Sequence, residues 1–147
     1  MLLKFEVQTK PVPQARPRFF SQCKKCRLKH LPKACENCKR HSGAYDPDRS
    51  KSFKEVVAWH AKTAVLKQGL QKPAEGPISI NLIFRMGKNG KEMYHTKRPD
   101  IDNLAKAVKD ALKGIVYADD SQIVEAHLYK QYGGPEVGIE IRTMEEA

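Results

Sequence analysis

Long apolar runs are missing from this chain of 147 residues. No stretch approaches the roughly 20 apolar residues that a membrane-spanning helix requires, so we expect no membrane partner. The segment from Met1 to Val7 alternates between apolar and polar residues and lacks the apolar core of a secretory signal, which predicts a cytoplasmic protein. A G-x-x-x-x-G-K-S/T loop is also missing, so the sequence does not support a nucleotide cofactor.

Acidic residues are few relative to basic ones, with 17 Asp and Glu against 27 Lys and Arg and a formal net charge of +10. The excess is concentrated between Lys10 and Lys54. Because phosphate contacts dominate nucleic-acid affinity, this segment predicts a DNA-binding surface, although charge alone is equally compatible with a solvated loop. The side chains that we expect to contact DNA are Arg16, Arg18, Lys24, Lys25, Arg27, Lys97 and Arg98.

Cysteine is scarce and confined to one short segment. The chain has four cysteines, and all of them belong to two C-x-x-C pairs: Cys23, Cys26, Cys35 and Cys38. Two such pairs are typical of structural zinc, which prefers four tetrahedral sulfur ligands. Disulfides are the alternative, but a cytosolic location disfavours them. We therefore predict a Zn²⁺-binding insertion at about 20–42, with His30 and His41 as reserve ligands, that holds a cationic finger against DNA or a partner subunit.

Two pairs of carboxylates flank a predicted helix: Asp100 with Asp102, and Asp119 with Asp120. Neighbouring carboxylates repel each other, and a divalent cation removes that repulsion; hard oxygen ligands suit Mg²⁺ or Mn²⁺. We expect the turn after the helix to bring the second pair beside the helix start. A metal-activated water would attack a phosphodiester there, and Lys106 would stabilise the developing charge.

Each of these residues also has a purely structural interpretation. Asp102 could cap its helix or form a surface pair with Lys106, and Asp119 with Asp120 could form a turn. Taken together and in a basic chain, the acidic residues favour the metal-site interpretation, which predicts phosphodiester chemistry on nucleic acid.

The periodicity of apolar residues predicts a single α/β domain over 1–147, with one mixed β-sheet and two packed helices. The first helix is expected from about Ser52, where Ser52 and Glu55 have the spacing of a capping box, to about Gly69. The second helix is expected over about 102–113. Strands are expected near 1–7, 78–85, 115–117, 122–130 and 137–142.

The acidic segments resemble the signature of the RusA family of Holliday junction resolvases. The resemblance rests on R-P-D-I-D-N-L-A-K-A at 98–107, D-A-L at 110–112 and D-D-S-Q-I at 119–123. An early P-x-x-R-P-R segment from Pro13 to Arg18 extends it over most of the chain. The cysteine segment departs from the family pattern.

This resemblance implies an endonuclease that requires Mg²⁺, acts as a homodimer and makes paired symmetric nicks in four-way DNA junctions. By motif position, it implies that Asp100, Asp102 and Asp120 are the metal-binding catalytic carboxylates. It likewise implies that Lys106 is the functional lysine and that Asp119 is a further acidic member of the site. The alternative from another class is a zinc-containing DNA-binding module that cleaves nothing.

Overall fold

The computed structural model describes residues 1–16, 47–88 and 91–144, and the strand backbone of 18–23 and 40–45. The chain forms two compact units, one made of 1–14 with 49–147 and the other of 15–48. The described elements are β1 (Leu2–Val7), β2 (Arg18–Cys23), β3 (Arg40–Tyr45), α1 (Asp48–Lys67), β4 (Ile78–Gly87), α2 (Ile101–Leu112), a 3₁₀ turn (Asp120–Gln122), β5 (Ile123–Gln131) and β6 (Gly133–Thr143).

Four strands of the larger unit form a sheet in the order β1-β6-β4-β5. β6 runs antiparallel to both β1 and β4, whereas β5 runs parallel to β4, so the sheet is mixed. Apolar residues alternate with more exposed ones along β4, so one face of the sheet is apolar. On that face, four side chains are fully buried: Ile78, Ile80, Leu82 and Phe84. The α/β fold class with one mixed sheet and two helices is confirmed.

α2 is strongly amphipathic. Its apolar residues recur at helical spacing and are buried, while Asp102, Asn103, Lys106 and Asp110 lie on the exposed side. Burying a leucine or valine contributes about 1.5–3 kcal/mol relative to leaving it exposed, so this face fixes the helix within the larger unit. The helix ends before Gly114, whose φ of 77° is a conformation that glycine adopts without strain.

The parallel pairing of β4 and β5 determines where the two ends of α2 lie. Ile78 pairs with Ile123 and Arg85 pairs with Gln131, so both strands start at one edge of the sheet and finish at the other. A parallel neighbour requires the chain to return between the strands, and α2 is part of that return. The residues before α2 therefore lie where β4 and β5 finish, and those after it lie where both strands start.

Hydrogen bonds at both edges agree with this placement. At the edge where β5 finishes, Lys130 Nζ donates to the carbonyl of Pro99 over 2.7 Å. At the edge where β4 starts, Gln122 Nε2 donates to the carbonyl of Gly76 over 3.0 Å.

Two local predictions are wrong. α1 begins at Asp48, four residues before Ser52, so the predicted capping box lies inside the helix; Asp48 in the first turn complements the helix dipole. No strand forms at 115–117: residues 114–116 form a turn, in which the N–H groups of Ile115 and Val116 both donate to the carbonyl of Leu112, and Tyr117 makes isolated bridges to Ala74 and Lys113. The Zn²⁺-binding insertion at about 20–42 stays a prediction; it overlaps β2 and β3, which form an antiparallel pair that was not predicted.

Within the described residues, neither helix is long and apolar enough to cross a bilayer.

Candidate functional site

The amino-terminal end of α2 carries the first carboxylate pair. Asp100 occupies the N-cap position with an extended backbone, and Asp102 lies in the first turn; both are exposed. An aspartate at an N-cap normally accepts a hydrogen bond from a backbone N–H of the first turn. The side chain of Asp100 makes no such bond. Its carboxylate is therefore not engaged in capping and is available to a cation.

Lys106 lies one turn after Asp102 and is also exposed. Residues four apart lie on the same side of a helix, so the lysine and the aspartate share the exposed stripe of α2. Lys97 and Arg98 lie three and two residues before Asp100 and are exposed as well. With Asp100, five charged groups of the predicted site thus lie in or just before the first half of one helix.

The backbone around this pair is held by contacts from two other elements. Lys130 of β5 donates to the carbonyls of Lys97 and Pro99 over 2.8 and 2.7 Å. The backbone N–H of Gln14 donates to the carbonyl of Asn103 over 2.9 Å. These contacts fix the chain on both sides of Asp100. Sequence reasoning missed Lys130 and Gln14, because neither belongs to an acidic or basic cluster.

Asp119, at the other end of α2, is engaged in structural contacts. Its carboxylate accepts from the N–H of Ser121 over 3.2 Å, while Gln122 Oε1 accepts from the N–H of Asp119 over 2.9 Å. Together these bonds form a capping box around the 3₁₀ turn. Its carboxylate also forms an ion pair with Lys113. Bonding to Lys113 and Ser121 lowers the pKa of the Asp119 carboxyl well below its usual range, and the same ion pair raises the pKa of Lys113.

Asp120 has a different environment. Its neighbour Tyr117 is buried, and the Tyr117 hydroxyl donates to the carbonyl of Lys109 over 3.0 Å. Burial raises the pKa of Tyr117, and the nearby Asp120 carboxylate raises it further, so the phenol stays neutral. Among the described residues, the buried Oδ1 of Asp120 has no hydrogen-bond partner. A buried carboxylate oxygen without a partner is costly, and a bound cation would remove that cost.

The two carboxylate pairs do not meet within one chain. A helix of 12 residues is about 18 Å long, and the pairs flank its two ends. No group of three or more His, Cys, Asp or Glu in the described part of the chain is arranged to hold a metal ion. The prediction that the turn after α2 returns Asp119 and Asp120 to the helix start is therefore wrong for the single chain. The parallel pairing of β4 and β5 is the physical reason.

Several predicted residues belong to the smaller unit. Cys23 ends β2, and Arg18 starts it. The other cysteines and three of the basic residues lie outside the described residues: Cys26, Cys35, Cys38, Lys24, Lys25 and Arg27. The zinc site and the DNA contacts of this unit stay predictions.

Known proteins match this chain over a range that includes both ends of α2. The sequence model of a family described as "Endodeoxyribonuclease RusA" matches residues 8–142. A relative from Bacillus subtilis (strain 168), the "Uncharacterized protein YqaN", is 33% identical over 157 residues, which cover 97% of this chain and 96% of the relative. The family match confirms the resemblance that the motifs at 98–107 and 119–123 predicted.

The ion pair between Lys113 and Asp119 can be tested by substitution of the lysine. Lys113→Met should raise the pKa of Asp119 towards its ordinary value near 4, because the largest stabilising contact of the carboxylate is removed. In the wild type the folded-state pKa is depressed. The carboxylate therefore contributes stability above the unfolded-state pKa, and this contribution is lost as the pH falls through the folded-state pKa.

An NMR titration of the Asp119 carboxyl carbon measures this pKa directly. Lys109→Met, which removes a lysine one turn earlier in α2, is the matched control and should leave the titration unchanged. An Asp119 pKa in Lys113→Met equal to that of the wild type would contradict the assignment.

Proposed function

Because the chain belongs to the RusA endodeoxyribonuclease family, we propose that it is a Mg²⁺-dependent Holliday junction resolvase that makes paired symmetric nicks in four-way DNA junctions. Family membership implies junction-resolving nuclease activity. The metal dependence, the symmetric cleavage and the residue roles are the proposed part. The observation that carries them is the exposed Asp100 and Asp102 pair, which is not engaged in capping although it begins a helix.

Asp100 and Asp102 are proposed to hold Mg²⁺ or Mn²⁺. Carboxylate oxygens are the ligands that these cations prefer, and Asp100 has no competing capping bond. When bound, the cation lowers the pKa of a water molecule and neutralises phosphoryl oxygens. Lys106 is positioned one turn along to contact a non-bridging oxygen of the scissile phosphate. Lys97 and Arg98 would bind the flanking phosphates.

Asp120 is proposed as the third ligand and Asp119 as its support. Oδ1 of Asp120 is buried and has no partner among the described residues, which suits a cation ligand. The oxygens of Asp119 already bond to Lys113 and Ser121, so we assign this residue to holding the 3₁₀ turn in place and not to the metal. This assignment replaces the metal-ligand role that the sequence predicted for Asp119.

A second copy of the chain is needed if one cation is to contact both ends of α2. The ends are about 18 Å apart, far beyond the 2.0–2.1 Å of a Mg²⁺–oxygen bond. Two copies related by a two-fold axis, with their α2 helices antiparallel, place the start of one helix beside the end of the other. The proposed homodimer would then contain two equivalent sites, which suits two equivalent cuts in a four-way junction.

Charge supports DNA as the substrate. The net charge of +10 attracts a polyanion, and the exposed basic residues Lys97, Arg98 and Lys106 flank the acidic pair in sequence. The positive end of the α2 dipole also favours a phosphate at this position.

Substitution of Asp100 tests the proposed chemistry. Asp100→Asn should reduce cleavage of a synthetic four-way junction by at least about 100-fold. Substituting a group that only holds a metal ligand in place already lowers metal affinity or activity by about 10–100-fold, and a ligand itself should matter more. Binding of the junction should stay equal or become tighter, because one negative charge near phosphate is removed. Cleavage is measured with Mg²⁺ on branched and linear DNA, and binding is measured with Ca²⁺ in its place.

Glu55→Gln is the matched control, because it removes one exposed carboxylate of α1 that lies outside the motifs at 98–112 and 119–123. It should cut at close to the wild-type rate. Loss of junction binding together with cleavage in Asp100→Asn would show a structural role for Asp100. A wild-type protein that binds junctions but cuts neither substrate would favour the non-catalytic DNA-binding module.

We also propose that Zn²⁺ is bound by Cys23, Cys26, Cys35 and Cys38 and has a structural role. Elemental analysis should then find one zinc per chain. Removal of the metal with a chelator should lower the thermal stability of the smaller unit or weaken junction binding, while the cleavage step in the bound complex changes less. His30→Gln, which leaves all four sulfurs in place, should keep its zinc. A variant with all four cysteines replaced by serine that is fully stable and active would refute this role.

A further inference from the structure

Lys130 occupies an unusual position for a lysine. It lies near the end of β5 and pairs in register with Phe84 of β4, whose side chain is fully buried. Paired residues of neighbouring strands point to the same side of a sheet, so the Lys130 side chain leaves the sheet on its core-facing side. Solvation alone does not explain a lysine there, because a charged group beside the core needs polar partners.

The partners of Lys130 are two backbone carbonyls. Its ammonium group donates to the carbonyl of Lys97 over 2.8 Å and to that of Pro99 over 2.7 Å. These carbonyls flank Arg98, and the second belongs to the residue directly before Asp100. One side chain therefore fixes two points of the segment that leads into the carboxylate pair.

The backbone of β5 and of the residue that follows it holds the earlier part of the same segment. The carbonyl of Lys130 accepts from the N–H of His95 over 3.1 Å, and the N–H of Tyr132 donates to the carbonyl of Met93 over 2.9 Å. These bonds fix the backbone of residues 93–95. In the described part of the chain, the hydrogen bonds to the carbonyls of 97 and 99 come from the Lys130 side chain.

The carboxylate of Asp100 depends on this support. An N-cap aspartate is normally oriented by its own bond to the first turn of the helix, but Asp100 makes no such bond. The direction of its side chain is then determined by the backbone on either side. α2 fixes the following residues through the bond from the Leu104 N–H to the Asp100 carbonyl over 3.2 Å, and Lys130 fixes the preceding ones.

We infer that Lys130 is a positioning residue for the Asp100 and Asp102 pair: by holding the carbonyls of Lys97 and Pro99, it orients the Asp100 carboxylate and so increases the affinity of the pair for a divalent cation. The inference rests on the proposed function, because it assumes that this pair is the metal site. Groups that orient metal ligands typically contribute 10–100-fold to metal affinity or activity.

Three variants separate positioning from charge and from folding. Lys130→Met keeps the length of the side chain but removes its hydrogen-bond donors. Lys130→Arg keeps donors at a similar reach. Lys62→Met removes an exposed lysine of α1 and is the control for the loss of one positive charge. Lys130→Gln, which is too short to bond to both carbonyls, replaces the methionine variant if the latter does not fold.

Two measurements are made on the full-length chain. Mn²⁺ binding is measured by calorimetry without DNA, and the Mg²⁺ concentration for half-maximal cleavage is measured at saturating junction DNA. We expect both constants to be about 10–100-fold weaker in Lys130→Met and close to wild type in Lys130→Arg and Lys62→Met. The melting temperature of each variant is recorded alongside.

Equal Mn²⁺ affinity in Lys130→Met and Lys62→Met would overturn the inference. Equal losses in Lys130→Met and Lys130→Arg, with the same fall in melting temperature, would also overturn it, because a general stability role would then explain them. A wild-type protein that binds Mn²⁺ but cuts no DNA would overturn the nuclease proposal, while the effect of Lys130 on Mn²⁺ affinity would still be measured. The two failures are therefore distinguishable.

Discussion

The parallel pairing of β4 with β5 is the constraint on which the site depends. Parallel neighbours require the chain to cross back over the sheet, and here α2 makes that return with its apolar face buried. Because a helix of 12 residues is rigid and about 18 Å long, the residues before and after it stay at opposite edges. The two carboxylate pairs are separated by this connection. A site that uses both of them must be completed by a second copy of the chain.

The four aspartates differ in their contacts although they look alike in sequence. Asp119 bonds to Lys113 and to Ser121 of its capping box, and its lowered pKa reflects those contacts. Asp100 makes no capping bond, and Asp120 has a buried oxygen without a partner among the described residues. Carboxylate oxygens that are not used by the fold are those available to a cation. In a chain with a net charge of +10, such a cation would lie where DNA is attracted.

Much of the fold could be predicted from apolar spacing, because burial on one side leaves a period of two in β4 and a helical period in α2. The motif at 98–107 also identified the family. The meeting of the carboxylates could not be judged in the same way, because it depends on whether β5 pairs parallel to β4, and alternation does not encode strand direction. The contacts of Lys130 were equally hidden, since a lysine that bonds to carbonyls far along the chain looks like any surface lysine in sequence. The start of α1 at Asp48 was missed because Ser52 offered a stronger local signal.

The most direct test of the account is the position of the metal in a crystal structure of the protein with Mn²⁺ and an uncleaved four-way junction. Anomalous scattering locates the ion without reference to the protein ligands. The account predicts one ion per site, bound by Asp100 and Asp102 of one protomer and by Asp120 of the partner subunit, with a DNA phosphate beside it. An ion that contacts neither Asp100 nor Asp102, or a complete site built from a single protomer, would contradict it.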